Sequence, residues 1–181
     1  NEHGTVIRFK ADDEIFETTV YDYSVLESRL KELAYLNKDL KIELVDERNP
    51  DDIKTEEFLF EGGIKDFLNE IIDDEKIIND VIYMADKMQI EEAKEVETVD
   101  ENGNTVKKHR SAKFVEVEIA MNYTTSQREN VYSFVNNINT HEGGTHVSGF
   151  RTALTRTIND IAKQMNLIKD KNGTFQGTDV R

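Results

Sequence analysis

The chain has 181 residues, which is enough for one well-buried core or for two small cores that share an interface. Its formal net charge is −14 and its pI is near 4.7, so the summed field excludes a general affinity for phosphate backbones, and any nucleic-acid contact must be local. Because it has no cysteine, disulfides, thiolate zinc sites and cysteine nucleophiles are excluded, and a cytoplasmic location is expected. No apolar run reaches the roughly 20 residues of a membrane helix, so no membrane is expected among its partners.

The first third of the chain is expected to contain two strands and a helix. Residues 5–9 alternate in polarity and predict a strand, and residues 40–45 do the same. Between them, apolar residues recur at helical spacing, and Ser24 stands three residues before Glu27, as in a capping box. A helix between two strands favours a parallel βαβ pairing.

The next third contains a loop, a helix and a charged segment. Residues 46–57 carry the only proline and predict a loop at a domain boundary, after which apolar residues following Gly62-Gly63 recur at helical spacing. The charge-dense segment at about 86–112 centres on Asn102-Gly103, a dipeptide typical of hairpin turns. We interpret this segment as an extended hairpin or a disordered insert.

The last third is predicted to hold two paired strands and a long helix. Residues 113–123 alternate between apolar and acidic side chains, and residues 129–138 are expected to form the partner strand. From Val147 to Met165, apolar residues recur at spacings of three and four, which predicts an amphipathic helix.

The segment THEGGTHVSGF, residues 140–150, holds two histidines, a glutamate and a glycine pair. A zinc site of the His-Glu-x-x-His type is not expected, because the second histidine comes one residue too late and the glycines interrupt the helix. Glu142 and His141 are of the residue types that act as general acids or bases, but no nucleophile or orienting partner stands nearby in the sequence. We therefore interpret Gly143-Gly144 as an elbow whose Thr145 hydroxyl caps the helix.

Two further features have a plain and a functional interpretation. Arg151, Thr155 and Asn159 are four residues apart and share a helix face, with Arg156 nearby; this face is either a solvated surface or a local cationic stripe for phosphate. His3-Gly4-Thr5 is either an ordinary strand entry or a weak phosphate or nucleobase signal, since no glycine-rich phosphate loop is present.

Five segments together carry a recognisable pattern: HGTVIRF, RLKELAYLN, FEGGIKDFL, ENVYSFVNNINTHEGGTHVSGFRTALTRTIN and GTDVR. In this order and spacing they resemble the B subunits of bacterial DNA gyrase and topoisomerase IV, over nearly the whole chain apart from the 86–112 insert. The resemblance implies an α+β fold. Residues 1–58 would be the end of a GHKL-type ATPase α/β sandwich, and residues 59–181 a transducer domain similar to domain 2 of ribosomal protein S5.

The resemblance also implies an activity for the parent protein. In this family, ATP binding closes two B subunits into a gate that captures a DNA duplex, and hydrolysis resets the gate. The implied cofactors of the parent are ATP and Mg²⁺, with none expected to bind this chain alone. The implied partners are double-stranded DNA, the A-type breakage-reunion subunit and a second B subunit.

Individual residues match the family's motifs. Gly4 and Thr5 match a glycine-threonine pair whose threonine takes part in adenine recognition. Arg151 matches an arginine that lines the cavity through which DNA passes, and Arg156 is assigned to the same cavity. The family's catalytic glutamate, adenine-reading aspartate and glycine-rich lid precede the matched segment, and its phosphate-binding lysine follows it. We therefore expect no catalytic residue here and no ATP hydrolysis by this chain alone.

Several alternatives stay open at the level of sequence. The chain could be a non-catalytic, acidic protein-interaction module that shares the fold. The 86–112 insert could bind a partner or DNA through Lys107, Lys108 and Arg110, or it could be a solvated hairpin. The chain is expected to be an excised part of a longer protein and to be a monomer or a weak dimer. Gyrase and topoisomerase IV cannot be told apart from these residues.

Overall fold

A computed structural model describes residues 3–72, 76–99, 105–126, 128–168 and 173–181. Helices and separate antiparallel strand pairs give the expected α+β class. The chain forms two compact units, of which unit 1 comprises Asn1–Asp74 and Asn79–Tyr123, and unit 2 comprises Glu75–Ile78 and Thr124–Arg181. In the part of the chain that the structure describes, no helix has the length and apolar character needed to cross a lipid bilayer.

The described residues of unit 1 form two helices and three antiparallel strand pairs. In chain order its elements are α1 (Tyr23–Leu36), β1 (Ile42–Asp46), β2 (Lys54–Phe58), α2 (Ile64–Ile71), β3 (Ile82–Glu91), β4 (Lys94–Val99), β5 (Thr105–Arg110) and β6 (Lys113–Met121). The strand pairs are β1 with β2, β3 with β6, and β4 with β5.

Helix α1 forms where its apolar periodicity predicts, but its cap differs from the prediction. The carboxylate of Asp22 accepts hydrogen bonds from the backbone N–H groups of Ser24 and Val25 at 2.9 and 3.4 Å. Asp22 is therefore the N-cap. The predicted capping box of Ser24 and Glu27 is wrong, because Ser24 already lies inside the first turn of the helix.

The core of unit 1 lies against the C-terminal half of α1. Ala34 and Tyr35 are buried, and the Tyr35 ring stacks on Phe60 with 3.6 Å between ring centroids. Phe67 of α2 approaches the same ring at 5.4 Å. Lys31 of α1 also pairs with Glu70 of α2, so the two helices are joined by an aromatic cluster and an ion pair.

The predicted parallel pairing around α1 is wrong. Strand β1 confirms the strand expected at 40–45, but it pairs antiparallel with β2, from Ile42 opposite Phe58 to Asp46 opposite Lys54. Residues 46–57 are therefore not wholly a loop, because the end of this range lies in β2. A hairpin connection is short and local, so it forms the ladder without the longer crossover that parallel pairing needs.

Residues 5–9 do not form the predicted strand. Within the described chain no segment forms a ladder with them, and Val6 and Ile7 are 96% and 78% exposed. The segment is instead placed by side chains, since Arg8 pairs with Glu47 and the Phe9 ring meets Tyr21 edge-on at 5.3 Å. Alternating polarity alone does not make a strand when no partner satisfies its backbone groups.

The charged insert forms two successive ladders. Strands β3 and β6 pair from Ile82 opposite Met121 to Glu91 opposite Lys113, and β4 and β5 form the second ladder between them in the chain. The hairpin interpretation is thus confirmed for these strands, whereas the predicted Asn102-Gly103 turn lies outside the described residues. Since β3 is the partner of β6, the predicted pairing of 113–123 with 129–138 is wrong.

Where the structure describes it, unit 2 has one long helix, a small hairpin and a C-terminal turn. Its elements are β7 (Phe134–Val135), β8 (Ile138–Asn139), α3 (Thr145–Gln164) and a 3₁₀ turn at Gly177–Asp179. Val147 and Ala162 of α3 are buried, as is Val180 of the C-terminal segment. The predicted last helix is therefore confirmed. The C-terminal turn has a reciprocal cap between Gln176 and Asp179, which the local sequence pattern does not predict.

Candidate functional site

The entry to α3 is a glycine elbow, as predicted. Gly143 has φ +75°, and Gly144 is the N-cap with φ +158° and ψ −177°, a region used almost only by glycine. Thr145 is the first helical residue, and no side chain of the described residues caps the helix, so the predicted Thr145 cap is wrong. Gly144, at the cap position, has a backbone conformation that is unfavourable for any residue with a Cβ atom. A serine or threonine is therefore excluded from that position.

Hydroxyl and imidazole groups bind the small hairpin to the start of α3. The side chains of Ser133 and Thr140 lie 2.6 Å apart, and Thr140 Oγ1 is 3.1 Å from Nε2 of His146. His141 and Glu142 occupy the exposed turn before the glycines. Among the described residues, no three histidine, aspartate or glutamate side chains are grouped to hold a metal ion. The geometry of this segment is that of a braced elbow.

Arg151 belongs to a small charged cluster that is centred on Glu129. Its Nε donates to Oε1 of Glu129 at 2.9 Å, and Nε of Arg181 lies 3.7 Å from the same oxygen. The Arg151 side chain is 37% exposed and that of Glu129 is 32% exposed. Two guanidinium groups thus share one carboxylate, which leaves the cluster with a net positive charge in an otherwise acidic chain.

One of the two polar residues that share a face with Arg151 holds the C-terminal segment. Asn159 donates from Nδ2 to the backbone oxygen of Phe175 at 2.9 Å and accepts at Oδ1 from the Phe175 N–H at 2.7 Å. Thr155 donates to the backbone oxygen of Arg151 at 2.9 Å. The predicted shared face is confirmed, but Arg151 is the one cation among these three residues, and Asn159 serves as a clamp.

Arg156 lies on a different side of α3 from Arg151. Five residues at 3.6 residues per turn separate their directions by about 140° around the helix axis. Arg156 borders a shallow depression of about 440 Å³, with Ser148, Gly149 and Thr152 along the same side. Arg151 borders a smaller pocket of about 160 Å³, which Ser133 and Thr140 of the hairpin and residues 141–143 of the elbow also line. The structure therefore does not bring the two arginines together.

Gly4 and Thr5 lie in unit 1, in the extended segment before Phe9. Both residues are exposed, and a Cβ atom added at Gly4 would meet nothing within 4 Å. Packing within the described chain therefore does not require glycine at this position. The absence of a side chain there leaves the backbone open to close approach by another group.

Local sequence patterns do not identify Glu129, Arg181 or the clamp between Asn159 and Phe175. Glu129 is 22 residues from Arg151, and Phe175 is 16 residues from Asn159, so no helical or strand periodicity connects either pair. The GTDVR motif does indicate a turn followed by a cation, because Arg181 comes just after the turn-forming Gly-Thr-Asp. The Glu129 contact depends on how the segment before β7 lies against α3, and the Arg181 and Phe175 contacts depend on how the C-terminal segment returns to the helix.

The comparisons with known proteins agree with this architecture. The family model for DNA gyrase B matches residues 63–181. The DNA gyrase B protein of Clostridium acetobutylicum is 43% identical over 182 residues, covering 100% of this chain and 24% of that protein. The gyrase B protein of Streptococcus pyogenes serotype M1 is 45% identical over 179 residues, covering 98% of this chain and 24% of that protein. The chain therefore belongs to the DNA gyrase B family, and it spans about a quarter of the length of these relatives.

A solved structure supports the same assignment. The 43K ATPase domain of Thermus thermophilus gyrase B, solved in complex with an aminocoumarin, is similar with a TM-score of 0.66 and 27% identity. The match covers 92% of this chain and 38% of that one. The resemblance stated from sequence motifs is thus confirmed at the level of the family and of the fold.

Proposed function

We propose that this chain is part of the ATPase subunit of a bacterial type IIA DNA topoisomerase, where it couples ATP binding and hydrolysis to closure of the DNA entry gate and strand passage. The observation that carries the proposal is the 43% identity with a gyrase B protein across the full length of the chain, both units included. The parent uses ATP with Mg²⁺ in the cytoplasm. The chain alone does not hydrolyse ATP, since none of its residues is assigned as the general base.

In this proposal, residues 1–58 complete the ATPase domain and residues 59–181 form the transducer. Gly4 and Thr5 supply one edge of the nucleotide site. The exposed backbone at Gly4 allows adenine to approach closely, and the Thr5 hydroxyl provides a donor and an acceptor for its polar edge. The catalytic groups and the rest of the nucleotide site come from other parts of the parent protein.

Arg151 and Arg156 supply positive charge toward double-stranded DNA. Both belong to α3, where the cluster of Arg151, Arg181 and Glu129 carries a net positive charge. In a chain with net charge −14, such local positive charge attracts a phosphate backbone only at defined places. The two arginines face different sides of the helix. Each therefore contacts a different phosphate, or contacts the DNA at a different stage of its passage.

The partners of the parent are the A-type breakage-reunion subunit and a second copy of the parent itself. A ligand shifts the equilibrium between the open and closed states of such a dimer only if it interacts differently with the two states. A helix braced at its entry by the Ser133, Thr140 and His146 contacts, and farther along by the Asn159 clamp, moves as one body. Rigidity of this kind converts nucleotide contacts into domain rotation.

Reconstitution of the full-length parent with the breakage-reunion subunit tests the proposal. We expect relaxed plasmid to become negatively supercoiled with ATP and Mg²⁺, and not with ATP omitted. Decatenation and relaxation with ATP but without supercoiling would assign the parent to topoisomerase IV. Absence of any ATP-dependent change in topology would contradict the proposal and favour a non-catalytic, acidic interaction module.

A further inference from the structure

The hairpin of β4 and β5 has two faces of different charge. In its register, Lys94 is opposite Arg110 and Val96 is opposite Lys108, while Glu95 is opposite His109. Residues directly opposite each other in an antiparallel pair share a face, and neighbours along a strand point to opposite faces. Lys94, Lys108 and Arg110 therefore lie on one side of the ladder, which we call the cationic face.

The opposite side of the hairpin carries side chains of both charges. Lys107 Nζ lies 3.6 Å from Oε2 of Glu95, so this cation has a carboxylate across the ladder. Among the described side chains of the hairpin, the cationic face contains no carboxylate, and Lys94, Lys108 and Arg110 are all exposed. The separation of charge follows from the strand period of two, which places Lys107 and Lys108 on different sides.

The carboxylate of Glu91, which lies near the cationic face, is already engaged. Glu91, at the end of β3, accepts a hydrogen bond from Lys113 Nζ at 2.8 Å. This hydrogen bond lowers the pKa of Glu91, and the positive charges of Lys113, Arg110 and Lys94 lower it further. The charge of Glu91 is therefore engaged by Lys113 and does not lie on the ladder that carries Lys94, Lys108 and Arg110.

We infer that the cationic face of the β4–β5 hairpin docks on the phosphate backbone of duplex DNA, as a second DNA contact in addition to the α3 arginines. The inference rests on the proposed function, which makes duplex DNA the substrate. The chain as a whole repels DNA because its net charge is −14, so a one-sided cluster of three exposed cations is a local exception.

The shape of the face favours a phosphate backbone over an acidic peptide. Lys108 and Arg110 are two residues apart on one strand, which places their backbones about 7 Å apart in a row, with Lys94 across from Arg110. Long side chains on an extended ribbon meet successive phosphates of a regular polyanion. A side-chain-specific peptide ligand would also use an apolar pocket, and the two pockets that the structure describes are lined by α3 and by the elbow and small hairpin before it.

The test compares neighbouring lysines on the two faces of one strand. In the full-length parent, assembled with its breakage-reunion partner, affinity for a fluorescent DNA duplex is measured across a salt series. Lys108→Gln should reduce the steepness of log K against log salt by about 1, whereas Lys107→Gln removes the same charge and should leave the slope unchanged. The triple variant K94Q/K108Q/R110Q should reduce the slope by about 3 and weaken binding at least tenfold near 0.1 M salt, on the order expected for three phosphate contacts.

A charge-preserving variant separates contact from folding. K94R/K108R keeps both positive charges and should bind DNA as the unmodified enzyme does. Equal slopes for the Lys107 and Lys108 variants, in an enzyme that binds duplex DNA, would overturn this inference and leave the proposed function standing. If the triple variant lost binding to an acidic protein partner while its affinity for duplex DNA stayed unchanged, the inference would be overturned and the proposed function would again stand. An unmodified enzyme that bound no duplex DNA would overturn both.

Discussion

The guanidinium of Arg151 donates to the carboxylate of Glu129 at 2.9 Å, and the same carboxylate oxygen lies 3.7 Å from Arg181. Glu129 therefore restrains the positive charge that α3 presents. In the proposed function this carboxylate weakens the attraction of Arg151 for DNA while it holds the C-terminal segment beside the helix.

Glu129→Gln should strengthen DNA binding by the full-length parent. Removing one negative charge beside two guanidinium groups steepens the salt dependence of binding, by up to about 1 in the slope of log K against log salt. Stability should fall by less than about 1 kcal/mol, because the paired side chains are 37% and 32% exposed and solvent screens the ion pair. Duplex titrations at several salt concentrations and urea unfolding measure the two effects. Weaker DNA binding would mean that Glu129 is needed to orient Arg151, contrary to this prediction.

Asn159→Ala should release the C-terminal segment from α3. The variant removes the acceptor for the Phe175 N–H and the donor to the Phe175 carbonyl, at a cost of roughly 1–3 kcal/mol. Hydrogen exchange at the Phe175 amide should accelerate markedly, while exchange in α1 of unit 1 stays unchanged. Unaltered protection at Phe175 would show that the clamp does not hold this segment.

The glycines of the elbow and of α3 should respond to alanine with opposite signs. Gly143→Ala should destabilise unit 2 by about 1–2 kcal/mol, because φ is +75° and the left-handed region is costly for a residue with a Cβ atom. Gly149→Ala should stabilise it by up to about 1 kcal/mol, since the helical position has open space within 4 Å of the added Cβ. Chemical unfolding of both variants makes the comparison, and a stabilising change at Gly143 would refute the elbow geometry.

Arg48→Gln should raise the pKa of Asp46. Arg48 donates from Nε to Oδ1 at 2.9 Å and from Nη2 to Oδ2 at 2.6 Å, and these hydrogen bonds lower the Asp46 pKa to about 2. A folded-state pKa below the unfolded value means that the pair stabilises the fold above about pH 4, and that this contribution disappears as the pH falls toward 2. Carboxyl NMR titration should show the Asp46 pKa returning toward 3.8 in the variant.

Arg29→Gln is the matched control for that titration. Arg29 pairs with Glu32 on α1, so its loss removes the same charge from unit 1 without touching Asp46. An Asp46 pKa that rose equally in both variants would point to the general field of the unit and not to the Arg48 hydrogen bonds.

Local patterns in the sequence predict the helices and fail on strand partners. The periodicity of α1, α2 and α3 is set within each segment, so these helices form where expected. The pattern predicts a loop where β2 forms, because only Phe58 among its residues is buried and the strand shows no apolar alternation. It also pairs residues 129–138 with β6, although β3 is the partner, because polarity alternation identifies strands but not their neighbours.

In the candidate site too, local features can be predicted from the sequence and long-range contacts cannot. The elbow and the shared face of Arg151, Thr155 and Asn159 follow from glycine chemistry and helical spacing, so both are predictable. The partners of Arg151 and Asn159 are not, because Glu129 and Phe175 reach them only through the return of distant chain segments. Capping by Asp22 in place of Ser24 depends on where α1 begins, which sequence patterns fix only to within a few residues.

Calorimetric titration of a non-hydrolysable ATP analogue tests the central claim most directly. The analogue is added to this chain, to the complete N-terminal half of the parent protein, and to that half carrying Thr5→Ala. We expect no binding to the chain alone, binding to the complete half, and weaker binding after Thr5→Ala, because Gly4 and Thr5 form only one edge of a divided site. Tight binding to the 181 residues alone, or no binding to the complete half, would contradict that claim.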